Sequence, residues 1–182
     1  QVEHPVTEEV TGIDLVAEQI KIARGDELEF VQDDIDWHGH AIEARLYAED
    51  PGNNFLPEIG TLHAYDTSLA SEVRWDSGVD EGSIIGTDFD PMLSKVISWA
   101  PNRVDAANKL ARGLEKAHMG GVVTNRQFLI SCLRNESFLN GNTTTDFIER
   151  EVLETKKNLS ANELHQASTA IALWLAQKNR LS

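Results

Sequence analysis

The chain opens on a carboxylate close to a proline, in the run Gln1-Val2-Glu3-His4-Pro5. Proline disfavours helical backbone in the residue before it, so we expect His4 to be extended. Glu3 would then end a strand that continues into a loop. A carboxylate at a rigid strand end can face a cleft and act as a general base. A surface glutamate before a turn is the alternative, and spacing alone favours that alternative.

A second chemical candidate is Arg45, which lies in the alternating segment 40–49. Alternation predicts a strand whose two faces differ in polarity. The apolar face carries Ile42, Ala44, Leu46 and Ala48, and the polar face carries Glu43, Arg45, Tyr47 and Glu49. An arginine between carboxylates can form a surface ion pair, usually worth under about 1 kcal/mol. It can also be a guanidinium held rigid and aimed at an anion. Spacing leaves both interpretations open.

The sequence contains no spacing typical of a metal site. His38 and His40 are separated by one residue, which suits neither a helical pair nor a zinc knuckle, so we expect strand-end histidines. The single cysteine, Cys132, excludes an internal disulfide and fits a reducing compartment. It lies in an apolar run, which favours a buried inert thiol over a nucleophile.

Composition restricts the partners of the chain. A net charge of −14 opposes binding to nucleic acid or to an anionic membrane. No apolar run approaches the length needed to span a bilayer. A hydrophobic fraction of 41% is typical of a globular core. The first residue is not methionine, so we expect residue 1 to be an internal boundary of a longer protein.

Periodicity predicts an α+β fold with an antiparallel sheet covered by helices on one side. Thr11 is a predicted cap for a helix over 13–24 that ends at Gly25. A short helix or turn is expected at 26–30 and a bend at 33–36. The predicted strands cover residues 40–49, 61–65, 72–75, 92–99 and 122–123.

The second half of the chain is predicted to be helical. Its expected helices cover 103–118, a segment ending near 134 that opens with a capping box at Thr124, and a segment from 143, with a turn at 137–141. A final amphipathic helix, 160–178, opens with a capping box at Ser160. Its apolar stripe consists of Leu164, Ala167, Ile171, Trp174 and Leu175. Such a stripe needs a partner, either a neighbouring subunit or a missing domain. We therefore divide the chain into a domain over 1–150 and a linker with an amphipathic helix over 151–182.

Several ordered motifs in residues 1–150 resemble those of biotin carboxylases. They are Gln1-Val2-Glu3-His4-Pro5-Val6-Thr7-Glu8, Val10-Thr11-Gly12-Ile13-Asp14-Leu15-Val16, His40-Ala41-Ile42-Glu43-Ala44-Arg45-Leu46-Tyr47-Ala48-Glu49-Asp50-Pro51, Phe55-Leu56-Pro57, Val73-Arg74-Trp75, Asp90-Pro91-Met92-Leu93-Ser94-Lys95 and Thr124-Asn125. Biotin carboxylases are ATP-grasp enzymes of acetyl-, propionyl- and methylcrotonyl-CoA carboxylases and of pyruvate carboxylase. The resemblance implies the C-terminal domain of the biotin carboxylase part of an acyl-CoA carboxylase α subunit.

The resemblance also implies catalytic roles. In this family ATP and bicarbonate form carboxyphosphate, and the carboxyl group then moves to N1 of biotin. Glu3 matches the general base that deprotonates bicarbonate. Gln1 and the backbone amide of Val2 match bicarbonate-binding groups. Arg45 matches the arginine that faces the ureido oxygen of biotin and stabilises the enolate.

Three further positions match less central residues of the family. Arg74 and Asp90 match positions at a dimer interface, and Thr145 matches a position near the adenine of ATP. The segment Thr144-Thr145-Asp146, which contains the position of the adenine contact, departs from the family pattern. The family's glycine-rich ATP lid, its metal-binding glutamate and the Ala-Met-Lys-Met of the biotin carrier do not occur in this sequence.

The implied cofactors are ATP with Mg or Mn and biotin on a carrier domain, and we expect none of them to bind the isolated chain. The implied partners are the rest of the biotin carboxylase, the carrier domain, a carboxyltransferase subunit and a second copy of the chain. The implied location is the bacterial cytoplasm or the mitochondrial matrix. Two alternatives remain, a purely structural module that dimerises and completes a cleft, and a biotin-independent ATP-grasp ligase such as carbamoyl phosphate synthetase. Arg45 disfavours the ligase, which forms no biotin enolate.

Overall fold

The computed structural model describes residues 4–156 and 159–181, without the side chains of residues 174, 175 and 178–181. The strands are β1 (His40–Tyr47), β2 (Glu49–Asp50), β3 (Leu56–Pro57), β4 (Gly60–Thr61), β5 (Ala64–Asp66), β6 (Arg74–Ser77), β7 (Ile84–Ile85), β8 (Met92–Ala100) and β9 (His118–Gly120). The helices are α1 (His4–Thr11), α2 (Leu15–Arg24), α3 (Arg103–Lys116), α4 (Arg126–Arg134), α5 (Glu136–Leu139), α6 (Phe147–Arg150) and α7 (Ala161–Leu181). Short 3-10 turns cover Gln32–Asp34, Pro51–Asn53 and Ser68–Ala70.

The largest sheet of the described chain has three antiparallel strands in the order β1-β8-β6. Arg45 of β1 lies opposite Lys95 of β8, and Lys95 lies opposite Asp76 of β6. Directly opposed residues point to the same face of a sheet. Three charged side chains therefore stand in one row across the polar face, which the predicted alternation of β1 had indicated only for Arg45.

The hydrophobic core lies on the other face of this sheet, under α3. The core side chains of the two long strands include Ile42, Ala44, Leu46, Leu93 and Val96, and those of α3 include Ala107, Leu110, Ala111 and Leu114. Every one of these side chains is buried. Burial of apolar area at about 25 cal/mol per Å² is the main force that holds α3 on the sheet.

A second helix, α1, packs on the polar face of β1 and β8. Its Pro5 is fully buried, and Ile97, on the same face as Glu43 and Arg74, is also buried. Helices thus cover both faces of an antiparallel sheet. The predicted α+β fold is confirmed, although the sheet is covered on two sides rather than one.

The prediction that His4 and Pro5 lie in a turn or loop was wrong, because both belong to α1. The first turn of a helix tolerates proline, since an amide N–H there has no acceptor within the helix. Thr11 does not cap α2: its hydroxyl donates to the Thr7 carbonyl, and Asp14 caps α2 by accepting from Ala17 N at 2.8 Å. The predicted end of α2 at Gly25 is confirmed, with a left-handed φ of 94°.

Other predicted boundaries also moved. Residues 122–123 form no strand, and the short strand in this region is β9 (His118–Gly120), which pairs with β5. The expected turn at 137–141 overlaps α5. Residues 26–30 form no helix, and Asn125 rather than Thr124 precedes α4. The 3-10 turn at Gln32–Asp34 replaces the expected bend.

The capping box of α7 is confirmed. Ser160 Oγ accepts a hydrogen bond from Glu163 N at 3.3 Å, and Glu163 Oε2 accepts one from Ser160 N at 2.9 Å. Leu164 and Ile171 are exposed, while the side chains of Trp174 and Leu175 lie outside the described residues. Within the described residues no helix is long and apolar enough to cross a membrane. The domain boundary near residue 150 stays a prediction.

Candidate active site around Arg45

Arg45 lies in the middle of β1, on the polar face of the sheet. Its Nε donates a hydrogen bond to Glu43 Oε1 at 3.1 Å. The Glu43 side chain is only 7% exposed, whereas the Arg45 side chain is 39% exposed. One end of the guanidinium is therefore tied to a buried carboxylate, and the side chain still reaches solvent.

The backbone at Arg45 is held by a side chain from the start of α4. The Asn125 side chain is buried; its Oδ1 accepts from Tyr47 N at 2.9 Å, and its Nδ2 donates to Arg45 O at 3.1 Å. Asn125 N also donates to Tyr47 O at 3.1 Å. These bonds occupy the outer edge of β1, where no further strand of the described chain pairs. Sequence patterns identified only the Thr124-Asn125 motif here, and capping-box spacing predicted a helix cap at Thr124.

Arg45 lines a cleft of about 420 Å³. The cleft residues come from α1, β1, α3 and α5, and they are Val6, Ala41, Ile42, Glu43, Arg45, Arg103 and Phe138. Arg103 is fixed against Phe138: its guanidinium carbon lies 4.6 Å from the ring centre, and its Nε donates to Phe138 O at 2.9 Å. A cleft with an apolar wall and rigid guanidinium groups suits a ligand that combines an apolar body with an oxygen acceptor.

The acidic side chains of Glu49 and Asp90 lie near Tyr47, at the C-terminal end of β1. Burial raises the pKa of the Tyr47 hydroxyl above its usual value; the Asp90 carboxylate adds to this rise, and the Arg45 charge opposes it. Burial likewise raises the pKa of Glu49, again with a contribution from Asp90. Asp90 itself is exposed and accepts a hydrogen bond from Met92 N at 2.9 Å. Its predicted place at a dimer interface stays a prediction.

Arg74 lies in a cluster of ion pairs on the polar face. Its Nη1 lies 2.8 Å from Glu8 Oε2 of α1, and its Nε and Nη2 each lie 2.8 Å from an oxygen of Asp76. Hydrogen bonding to Asp76 raises the pKa of Arg74 above its usual value, and the bond to Glu8 raises it further. Arg74 thus joins α1 to β6 within one chain, and its predicted role at a dimer interface stays a prediction.

We expect Arg74→Met to lower the free energy of unfolding by about 1–3 kcal/mol, the cost of leaving a buried polar group without its partner. The Glu8 side chain is 9% exposed, so it would lose its cation without gaining full hydration. The measurement is denaturant unfolding of the chain. Lys116→Met is the matched control, since Lys116 pairs with Glu72 at 2.7 Å near solvent. That surface pair should cost under about 1 kcal/mol, and equal losses in the two variants would contradict the prediction.

Thr145 lies in an exposed turn before α6. Its neighbours form a local network in which the Arg150 guanidinium donates to Thr144 Oγ1 at 3.1 Å and lies 3.2 Å from Asp146 Oδ1. Thr145 is not among the residues that line the Arg45 cleft. Its contact with adenine stays a prediction.

Gln1, Val2 and Glu3 lie outside the described residues. Their nearest described neighbours belong to α1. Val6 lines the Arg45 cleft, and His4 lines a cleft of about 360 Å³ that also includes Asp76 and Lys95. The start of α1 therefore faces both clefts on the polar face. Sequence reasoning assigned no role to Lys95, Arg103 or Phe138, because their proximity to this site depends on tertiary contacts.

The remaining candidates have local structural surroundings. Within residues 4–156 and 159–181 no group of three His, Cys, Asp or Glu side chains could hold a metal ion. The His38 carbonyl accepts a hydrogen bond from Trp99 Nε1 at 2.7 Å, and burial lowers the pKa of His40 beside Arg103. Burial raises the pKa of the Cys132 thiol to about 11, which agrees with the predicted inert thiol.

Comparison with known protein families gives two matches. Residues 43–150 match the family described as biotin carboxylase C-terminal domain. Residues 1–31 match the family described as carbamoyl-phosphate synthase L chain, ATP binding domain. The first match contains Arg45, Arg74, Asp90 and Thr145.

Curated relatives include methylcrotonoyl-CoA carboxylase subunit alpha, mitochondrial, of Rattus norvegicus, which is 39% identical over 100% of this chain and 26% of the relative. Biotin carboxylase 2 of Bacillus subtilis is 42% identical over 84% of this chain and 34% of the relative. The chain spans about a quarter to a third of these relatives.

Solved structures agree with this relationship. The biotin carboxylase domain of a thermophilic 2-oxoglutarate carboxylase bound to bicarbonate is 38% identical, with a TM-score of 0.78 over 82% of this chain and 34% of that chain. Pyruvate carboxylase of Rhizobium etli is 38% identical, with a TM-score of 0.79 over 88% of this chain and 16% of that chain. With a matching family model over residues 43–150, the chain belongs to the biotin carboxylase C-terminal domain family.

Proposed function

We propose that the protein containing this chain carboxylates biotin with ATP and bicarbonate, as the biotin carboxylase part of a biotin-dependent carboxylase. The observation that carries the proposal is Arg45, tied to buried Glu43 and braced by Asn125 at the wall of an open cleft. A guanidinium held in this way needs little reorganisation when an oxygen beside it gains negative charge.

In the proposed reaction Glu3 takes the proton of bicarbonate, while Gln1 and the amide of Val2 hold the anion. The bicarbonate oxygen attacks the γ-phosphorus of ATP, which forms carboxyphosphate and releases ADP. Biotin, when bound, would supply N1 as the nucleophile for the carboxyl carbon of carboxyphosphate. The phosphate that leaves would take the N1 proton, and Arg45 would stabilise the negative charge that develops on the ureido oxygen. The position of Val6 in the Arg45 cleft supports this scheme, because Glu3 directly precedes α1 in the sequence.

ATP with Mg or Mn and carrier-bound biotin are the proposed cofactors of the whole protein. A solved 2-oxoglutarate carboxylase domain was obtained in complex with MgADP and bicarbonate, which supports the nucleotide and the anion. The described residues contain no metal cluster, so we assign no metal ligand to them. Thr145 remains a proposed contact to adenine.

The proposed partners are the rest of the biotin carboxylase, a biotin carrier domain, a carboxyltransferase subunit and a second copy of the chain through Arg74 and Asp90. Relatives with solved structures include a multifunctional pyruvate carboxylase, and one biotin carboxylase domain is described as a dimer. Since curated relatives include both mitochondrial and bacterial proteins, the proposed location is the mitochondrial matrix or the bacterial cytoplasm.

We further propose that the parent is an acyl-CoA carboxylase α subunit rather than a separate biotin carboxylase. Similarity to the methylcrotonoyl-CoA carboxylase subunit covers 100% of the chain and includes α7, whereas similarity to biotin carboxylase 2 covers 84%. The relatives carry the names of different carboxylases, which act on methylcrotonoyl-CoA, propionyl-CoA or pyruvate. We therefore propose that the choice of the molecule that finally accepts the carboxyl group is made by a part of the enzyme outside this chain.

The direct test uses the full-length parent protein and measures ADP release and transfer of labelled bicarbonate into free biotin. We expect ADP release to require bicarbonate and label to appear in biotin, with the isolated chain inactive in both assays. Label that enters carbamoyl phosphate when ammonia is supplied, with none in biotin, would overturn the proposal. It would instead favour the carbamoyl phosphate synthetase alternative, to which the match over residues 1–31 also points.

A further inference from the structure

Glu43 is buried more deeply than its charge alone would favour. Its side chain is 7% exposed, its Oε1 accepts from Arg45 Nε at 3.1 Å, and its Oε2 is buried without a hydrogen-bond partner. Among the described residues only Glu18 Oε2 shares that condition, and Glu18 forms a local pair with Lys21 on α2. A buried oxygen left without a donor is unfavourable, so its retention beside the Arg45 cleft calls for a reason.

The burial of Glu43 restricts where Arg45 can lie. A carboxylate removed from water requires a nearby cation, and separating the two would leave an uncompensated buried charge. Arg45 therefore cannot swing into solvent without a large cost, even though its side chain is 39% exposed. In a surface ion pair both partners are hydrated and the arginine samples many positions. The buried partner converts a flexible side chain into a fixed one.

We propose that Glu43 is a positioning residue that holds the Arg45 guanidinium at the orientation required by the ureido oxygen of biotin. Because its free oxygen is buried, Glu43 acts through Arg45 and not by contact with the substrate. The inference rests on the proposed biotin carboxylation. An error of about 1 Å in the position of a catalytic group can cost about 100-fold in rate, so the loss of this restraint should be visible in kcat.

The test is a double-mutant cycle in the full-length protein with Glu43→Gln and Arg45→Ala, assayed for biotin carboxylation. Glutamine keeps the shape of Glu43 but removes the charge that needs Arg45. We expect Glu43→Gln alone to lower kcat by about 10–100-fold, with the biotin-independent ATPase within about twofold of wild type. In the Arg45→Ala background Glu43→Gln should have no further effect, because the residue it positions is gone.

Two companion variants separate positioning from folding. Glu43→Asp keeps the charge, so its kcat should lie between those of the wild type and Glu43→Gln. If Glu43→Gln does not fold, Glu43→Asp takes its place in the cycle: its shorter side chain should still lower kcat, but not in the Arg45→Ala background. Glu72→Gln, at an acid paired with Lys116 on another part of the surface, should leave both rates unchanged.

Additive losses in the double variant would overturn the positioning role, and so would an equal fall of both activities in Glu43→Gln. A well-folded Glu43→Asp with no more activity than Glu43→Gln would also contradict it. Failure of the proposed function has a different signature, because the wild-type protein itself would then put no label into biotin.

Discussion

Arg45→Ala in the full-length protein should lower the rate of biotin carboxylation by a factor of about 10²–10³, the effect typical of losing one donor that stabilises a developing oxyanion. The structural reason is the fixed position of the guanidinium, which Glu43 holds through Nε and Asn125 braces through the backbone. Alanine keeps the strand and removes the donor. The measurement is transfer of labelled bicarbonate into free biotin at saturating ATP.

A second activity of the same preparation shows which step Arg45 serves. ATP cleavage that depends on bicarbonate but proceeds without biotin generates no charge on a ureido oxygen, so Arg45→Ala should reduce it far less. Arg134→Ala is the matched control, because Arg134 pairs with Glu115 at 2.8 Å on the exposed surface. Equal losses of the two activities would make Arg45 a bicarbonate-binding or structural residue. Unchanged rates would leave Arg45 only as the structural partner of the buried Glu43 carboxylate.

Glu3→Gln should nearly abolish bicarbonate-dependent ATP cleavage, because the amide retains the shape of the side chain but cannot accept the proton of bicarbonate. General-base catalysis typically contributes about 10²–10⁴-fold, so the residual rate should fall in that range below wild type. Release of ADP at saturating bicarbonate measures the rate, and titration with a fluorescent nucleotide measures ATP affinity. We expect the affinity for ATP to stay nearly unchanged.

The matched control for Glu3 is Glu81→Gln, a change of the same chemistry in an exposed loop before β7. It should leave the rate of ADP release and the affinity for ATP at their wild-type values. If Glu3→Gln turns over ATP as fast as the control at saturating bicarbonate, Glu3 is not the base. Loss of ATP binding in Glu3→Gln would instead point to a structural role at the start of α1.

Local patterns predicted the strands and helices that carry the site, but they did not predict the contacts between those elements. The alternation of residues 40–49 placed Ile42 and Leu46 on the core face and Arg45 on the opposite face, because side chains alternate in any strand whatever surrounds it. Gly25 marked the end of α2 for an equally local reason, since a left-handed residue there favours glycine.

The wrong predictions arose where a local preference met a competing interaction. The bias of a residue before proline placed His4 in a turn, yet Pro5 is compatible with the first turn of α1 and is fully buried there. Capping-box spacing placed the helix cap at Thr124, but Asn125 precedes α4, and its side chain bonds to Tyr47 and Arg45 instead of capping the helix. A short-range pattern cannot tell which of two possible hydrogen-bond partners is nearer in the fold.

The alternation of β1, the shared face of Glu43 and Arg45 and the motifs shared with biotin carboxylases can be predicted from the sequence. Three features depend on contacts between distant segments: α1 covers this face through Glu8 and Arg74, Asn125 braces the strand edge, and Glu43 is buried. They escape sequence patterns because the residues that meet are far apart along the chain. Glu8 and Arg74 are 66 positions apart, and Asn125 lies 80 positions from Arg45. Contacts at such separations follow from how whole elements bury their apolar faces, and no local period encodes them.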